Sequence, residues 1–302
     1  MPWRERDLLA AFARKTPGPA VAVGPGDDCA VVSVPPSLVL TTDLMAEGTD
    51  FLPSHPLRSV GWKSVMISAS DIAAMGASPL FFLVAAQIPP GMEEDRVLEL
   101  TAGMEAAAEA VGASLVGGDL SAGPSLLLVS AGAGAPPPGG PVLRSTARAG
   151  DLVFVTGPLG GSILGRHLTF RARVEEGRFL ASFASAMMDI SDGLSGDLVH
   201  IADASSLDFT VSAAAVPVHP DAVALSERTG RSPLHHALHD GEDFELLFTL
   251  PPDRLDDFLE ASRDRGFAFR RIGRMTPKGS GRFLETEEGP RPWRILSHEH
   301  RG

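Results

Sequence analysis

Short apolar blocks bounded by glycine, proline and aspartate alternate along the chain with longer stretches in which apolar or small residues recur every three or four positions. The blocks read as strands at residues 20–34 (interrupted by the turn Gly-Pro-Gly-Asp-Asp), 38–43, 80–88 and 125–131. Between them, 58–75 and 93–111 carry helical periodicity. The segment GAGAPPPGGP, residues 132–141, offers almost nothing a core could use and marks a linker. Beyond it the alternation resumes, with strands at 152–156, 209–216, 244–250, 269–275 and 281–286 and helices at 175–187, 196–204, 220–228 and 253–265. Mixed periods in both halves predict an α/β or α+β layer fold in two domains, residues 1–140 and 141–302.

Composition narrows the setting. With 44% hydrophobic and 21% charged residues, the chain is that of an ordinary globular protein. No apolar run reaches the roughly 18 residues of a membrane helix, and the charged N-terminus lacks the apolar stretch of a secretion signal, so no membrane association and a cytoplasmic location are expected. The single cysteine, Cys29, excludes an internal disulfide and reads as a small buried filler. A formal charge of −12, from 38 acidic and 26 basic residues, disfavours nucleic acid and anionic lipid as partners. A polyanionic ligand would need something other than surface charge to hold it.

Most acids lie on solvated helix faces, but Asp27, Asp28, Asp43, Asp71, Asp119, Asp189 and Asp192 are set among glycine and aliphatic residues. For each alone, a turn or helix cap is the ordinary reading. Asp71, inside the helical pattern SVMISASDIAAMGA, resists that reading because a mid-helix acid caps nothing. Carboxylates that share a site need counter-cations. Oxygen-only donors, with the Thr41 and Thr42 hydroxyls beside Asp43, select hard ions such as Mg²⁺, which commonly also bind substrate phosphates. The P-loop, kinase and dinucleotide motifs are missing; GPLGGSILG, residues 157–165, reads as a structural strand-to-helix turn. Lys63 reads either as a phosphate contact or as the partner of an acid. His235, His236 and His239 read as a solvated helix face, and Arg166 and His167 as helix-surface residues or neighbours of a nucleotide.

Seven motifs follow in order: GDDCA (26–30), TTDLMAEGTDF (41–51), SASDIAAMGASP (68–79), VGGDLSAGP (116–124), RSTARAGD (144–151), MDISDGLSGDL (188–198) and GEDFELLFT (241–249). Together they resemble the thiamine-monophosphate kinases of the aminoimidazole-ribonucleotide-synthetase-like, or PurM-like, superfamily. The resemblance implies a two-domain PurM-like fold. Its N-terminal domain binds ATP and Mg²⁺ and pairs its sheet across a homodimer, and a C-terminal α/β domain completes the nucleotide and substrate site. It implies Mg²⁺ ligands at Asp28, Thr41, Thr42, Asp43, Asp71, Asp119, Asp189 and Asp192, nucleotide contacts at Gly118, Asp119, Arg144 and Ser191, and a substrate contact at Glu242. Asp43, Asp119 and Asp192, acting through several Mg²⁺ ions, and Arg144 are expected to carry the chemistry. The implied reaction phosphorylates thiamine monophosphate with ATP.

The chain departs from the family on the acceptor side. Asp50 stands where relatives usually carry histidine in EGTDF, and the end reads WRILSHEHRG in place of an aromatic and His-Phe closure. Trp293 is the candidate stacking face, and the chain has no tyrosine. Asp240 replaces the glycine that commonly precedes GED. Three rivals therefore stand beside the kinase: a PurM-like enzyme with another acceptor, an ATP-activating synthetase of that superfamily, and a non-catalytic nucleotide-binding dimer.

Overall fold

The computed structural model describes residues 20–24 and 29–296. Asp27 and the expected ligand Asp28 lie outside the described residues. The chain divides into two compact units, the first comprising residues 1–72, 77–136 and 168–174, the second 73–76, 137–167 and 175–302.

In the first unit a two-stranded ribbon, β1 (Val21–Val23) with β2 (Val31–Val32), precedes a four-stranded sheet. The sheet's strands are β3 (Val39–Ala46), β4 (Ser78–Ile88), β5 (Ser114–Ala122) and β6 (Leu127–Ala135), in the order β3-β6-β4-β5, with β5 parallel to β4 and the other pairs antiparallel. Helices α1 (Leu57–Ala74) and α2 (Glu94–Ala110) fall between β3 and β4 and between β4 and β5. β4 alternates strictly: Phe82, Val84, Ala86 and Ile88 are buried while Leu83 is exposed. Val65, Ala69 and Ile72 of α1 are buried on the same side of the unit as Ser130 of β6, which meets Ser68 of α1. The opposite face stays open, with Leu40 and Leu44 of β3 at 74% and 57% exposure, a one-sided sheet of the kind antiparallel strands allow. Trp62 of α1 donates its indole N–H to the Phe170 carbonyl at 2.6 Å.

Two expectations change here. β6 continues through Ala135, so the expected linker begins inside a strand. β5 was not foreseen, because its sequence SLVGGDLSA breaks the apolar pattern with two glycines. A Cβ on Gly118 would sit 1.9 Å from the Val84 carbonyl oxygen, so the strand pairs this closely only without a side chain there.

The second unit is built on a seven-stranded mixed sheet. Its elements run β7 (Leu152–Val155), α3 (Val174–Leu180), β8 (Ala186–Asp189), α4 (Leu194–Ala204), β9 (Leu207–Ser212), α5 (Pro220–Thr229), α6 (Pro233–His239), β10 (Leu246–Leu250), α7 (Leu255–Asp264), β11 (Arg270–Pro277), β12 (Phe283–Thr286) and β13 (Gly289–Pro292). The order is β13-β12-β9-β11-β7-β10-β8, with only β12 and β9 parallel. Both faces are buried: Val153 and Val155 join Leu194, Leu198 and Phe209 on one side, and Leu152 and Phe154 join Phe248 and Phe258 on the other. That is why β7 reads as an unbroken apolar block. The helix expected over 175–187 stops at Leu180, and Ala-Met-Met-Asp forms β8 instead. Ala and Met are good helix formers, but pairing with β10, Met187 opposite Phe248, overrides local preference.

Among the described residues no helix is long and apolar enough to cross a membrane. Cys29 is exposed, against the buried filler expected.

Candidate active site

In the first unit, Thr41 and Asp43 share one face of β3 because side chains two apart on a strand point the same way. On α1, Ser68 and Asp71 are three apart and share a helix face. Thr41 Oγ1 donates to Asp71 Oδ2, and Ser68 Oγ donates to Asp43 Oδ2 at 2.6 Å. Ser68 Oγ also meets Ser130 Oγ at 2.6 Å, and Thr42 Oγ1 donates to the Ser130 carbonyl at 2.9 Å. Burial, then repulsion from Asp71, push the Asp43 carboxyl up to about 6, against the lowering hydrogen bond from Ser68. Two acids held together on hydroxyls, one of them reluctant to ionise, form a cluster that a cation would relieve.

Three of the expected residues thus meet: Thr41 and Asp71 directly, and Asp43 by its charge. Thr42 is exposed on the opposite face of β3 and bonds the Ser130 carbonyl. Asp119 does not join them. Strand register sets Asp43, Ser130, Val84 and Gly118 in one row and Leu44, Val129, Ala85 and Asp119 in the next, so Asp119 belongs to the open face of the sheet and is exposed. Asp50 turns inward on its own loop: its Oδ2 accepts from Ala46 N at 2.7 Å. Lys63 is buried in α1 and donates to the Asp50 carbonyl at 2.9 Å, so it braces that loop.

In the second unit, Asp189 ends β8 in a buried position, and Ser191 and Asp192 lie in the turn that leads into α4. Asp197, one turn into that helix, reaches back so that its Oδ2 accepts from Gly193 N at 3.1 Å. Burial and the charges of Asp189 and Asp192 push its carboxyl up to about 8, and its buried Oδ1 has no protein partner. Asp192, Asp197 and His200 each offer a ligand atom within 4.8 Å of the others. The sequence shows Asp197 only as one more acid at a helix start, so nothing singled it out. Ser68 and Ser130 were missed for a comparable reason: a hydroxyl in a small-residue run carries no chemical signature. Arg144 is exposed in a short 3₁₀ turn, Arg144–Thr146, and its carbonyl accepts from Ser205 Oγ at 2.9 Å.

Glu242 follows in a backbone segment with two non-glycine residues at positive φ, Glu242 at 52° and Phe244 at 51°. Its amide donates to the Ser191 carbonyl at 2.7 Å, and that of Phe244 to the Ile190 carbonyl at 2.8 Å. Trp293 packs edge-on against Phe209, ring centroids 5.0 Å apart, and donates its N–H to the Ser195 carbonyl at 2.9 Å, so its ring edge and polar atom serve the unit's own core. The histidine cluster is not a solvated face. His236 is buried between Thr229 and Asp240, and His239 meets Ser195 Oγ at 2.8 Å, with burial as the main cause pushing its pKa down to about 4. Arg166 and His167 brace the Gly-rich turn: Arg166 Nη2 donates to the Gly160 carbonyl at 3.0 Å, and His167 Nδ1 lies 2.8 Å from the Ser162 carbonyl.

Comparison with known proteins agrees over nearly the whole chain. Residues 26–135 match the N-terminal domain of AIR synthase related proteins and residues 148–284 their C-terminal domain. A thiamine-monophosphate kinase of Rhodopirellula baltica is 37% identical over 90% of this chain and 89% of its own, and one of Aquifex aeolicus is 32% identical over 89% and 92%. Among solved structures, the thiamine-monophosphate kinase of Stenotrophomonas maltophilia superposes with a TM-score of 0.80 at 29% identity, covering 93% of this chain and 96% of that one. AaThiL complexed with AMPPCP and TMP superposes with a TM-score of 0.75 at 30% identity, covering 87% of each. The hydrogenase maturation protein HypE, at 22% identity and a TM-score of 0.79, shares the fold. With two such domains and relatives this similar along most of its length, the chain belongs to the thiamine-monophosphate kinase family of AIR synthase-related, PurM-like proteins.

Proposed function

We propose that this protein transfers the γ-phosphoryl group of ATP to the phosphate of thiamine monophosphate, giving thiamine diphosphate and ADP. Full-length similarity to thiamine-monophosphate kinases carries the reading, and the Asp43–Asp71 cluster supplies chemistry that suits it. The acceptor phosphate has its second pKa near about 6, so it is largely dianionic at neutral pH and needs no general base. In keeping with that reading, His236 and His239 are held by structural partners in the second unit.

Oxygen donors suit Mg²⁺: Thr41, Thr42, Asp43 and Asp71 in the first unit, Asp189 and Asp192 in the second, with Asp119 and Asp28 carried over from the family. When bound, Mg²⁺ neutralises phosphate charge and orients the two reactants for in-line transfer. The buried Asp197 Oδ1 without a protein partner agrees with a cation nearby. Arg144, exposed and unburdened by an acid in any ion pair described, suits a contact to the transferring phosphate, with Gly118 and Ser191 contributing backbone and hydroxyl contacts to the nucleotide. Glu242 serves the acceptor, whose thiazolium is cationic. The exposed Leu40, Leu44 and Leu83 on the open face of the first unit's sheet support pairing of that sheet with a second copy.

A second acceptor is the alternative favoured by one observation: Asp50 replaces the family's histidine and its carboxylate is engaged by Ala46 N. Coupled ADP release with Mg²⁺ and ATP, with and without thiamine monophosphate, separates the two. Acceptor-dependent release supports the kinase; ATP binding without acceptor-dependent release removes it.

A further inference from the structure

The segment Asp240–Glu245 runs between two loops that grip it from opposite sides. On one side lies the turn after β8: Glu242 N bonds the Ser191 carbonyl, Phe244 N the Ile190 carbonyl, and Ile190 N the Glu245 carbonyl at 2.8 Å. On the other lies the Gly-rich turn after β7. Gly161 N donates to Asp240 Oδ2 at 3.0 Å, and Ser162 Oγ to the Gly241 carbonyl at 2.8 Å. Asp243 is the centre of this second grip. Its carboxylate accepts from Gly160 N at 2.8 and 3.0 Å and from Arg166 Nη2 at 2.9 Å, at 2% exposure.

The residues on either side of Asp243, Glu242 and Phe244, both adopt positive φ. Such a backbone is sparsely populated for residues with side chains and persists only where its surroundings over-determine it. The grip is tight enough to exclude a side chain at 241, where a Cβ would lie 2.6 Å from the Ser191 carbonyl oxygen. Arg166 Nε lies 3.6 Å from Asp221 Oδ2, too long for a hydrogen bond, so the guanidinium is committed mainly to Asp243 and Gly160.

We propose that Arg166 and Asp243 are positioning residues for the acceptor: their ion pair, anchored on Gly160, holds the Glu242 backbone in its left-handed turn and so fixes where the Glu242 carboxylate is presented. The inference rests on the reading of Glu242 as an acceptor contact. Ser191 is also placed by β8, directly upstream, so nucleotide binding depends less on this pair.

The test uses the full chain with Mg²⁺, ATP and thiamine monophosphate, in Asp243→Asn, Arg166→Met, Arg166→Lys and the Asp243→Asn/Arg166→Met double variant. Each single neutral variant should raise the acceptor KM about tenfold or more and leave the ATP KM within about twofold. Arg166→Lys, with one donor restored, should fall between. The double variant removes both charges and so leaves neither unpaired; its melting temperature should recover while its acceptor KM stays high. If both KM values rise together, or the acceptor KM recovers with stability in the double variant, the pair is only structural and the proposal fails. Should Arg166→Met not fold, the isosteric Asp243→Asn carries the same comparison. Hydrogen–deuterium exchange gives a readout independent of the acceptor: amides of 240–245 should exchange about tenfold faster in Asp243→Asn with β10 unchanged. Unchanged exchange overturns the proposal even if thiamine monophosphate proves not to be the substrate. Absent acceptor-dependent ADP release from the wild-type chain, with faster exchange in the variant, overturns the kinase reading alone.

Discussion

The two units hold their acids by different means. In the first, Asp43 and Asp71 rest on the hydroxyls of Thr41 and Ser68, side chains that can rotate away when a cation takes their place. In the second, Asp197 rests on the Gly193 amide, and Glu242 is fixed through its own backbone beside a glycine that has no room for a Cβ. A hydroxyl-lined cluster adapts to what enters it, whereas a backbone-clamped one presents a shape made in advance. Damage should therefore appear at the hydroxyl-held Asp43–Asp71 cluster as lost metal response and at the clamped Glu242 turn as lost fit.

The largest effect expected is that of Asp43→Asn, which removes a proposed cation ligand while keeping the shape. ADP release should fall about 10³-fold, and a rate within tenfold of wild type would break the contrast at its metal end. Next, Leu44→Lys puts a charge on the open sheet face. Light scattering should then give half the wild-type mass, and an unchanged mass shows that this face is not where two copies meet.

Asp243→Asn should separate stability from fit. Burial, supported by Glu245 and opposed by Arg166, pushes the Asp243 carboxyl up to about 7 from an ordinary 3.8. Between those values the folded state binds more protons than the unfolded, so this group's contribution to stability falls as pH rises through the window. Asparagine does not titrate, so the variant's melting temperature should gain on wild type by several degrees from about pH 4 to pH 7 and no further above it. A constant difference across that range contradicts the assignment. The smallest effect is that of Ser68→Ala, whose loss lets the Asp43 carboxyl rise further. Calorimetric Mg²⁺ affinity should drop about tenfold at pH 6 and little at pH 8, because metal and proton compete for that oxygen. An equal drop at both pH values would place Ser68 in the ligand set itself.

Elements with a strong single period were readable in the sequence: α1, α2, β4 and β10 fall close to where their apolar spacing puts them. β5 and β8 were not, because Gly117–Gly118 and Ala-Met-Met carry no strand preference and are strands only through their neighbours. Within the site, acids among apolar residues stood out because an unpaired buried carboxylate is costly. Ser68, Ser130 and Asp243 were hidden, since their roles arise from register and from loops far apart in sequence, and Asp197 because it reads as an ordinary acid at a helix start. The histidine cluster misled for the opposite reason: three at helical spacing suggest a common face, yet His236 turns into the core.

Trp62 bonds the Phe170 carbonyl in the first unit, and Trp293 bonds the Ser195 carbonyl at the first turn of α4 in the second. The chain has three tryptophans and no tyrosine. Its ultraviolet emission is therefore dominated by indole, and among the described residues one tryptophan is anchored in each unit; Trp3 lies outside them. A Trp3→Phe/Trp62→Phe variant leaves Trp293 as the one indole, where ligand arrival beside Asp192 would register as a change in colour or brightness.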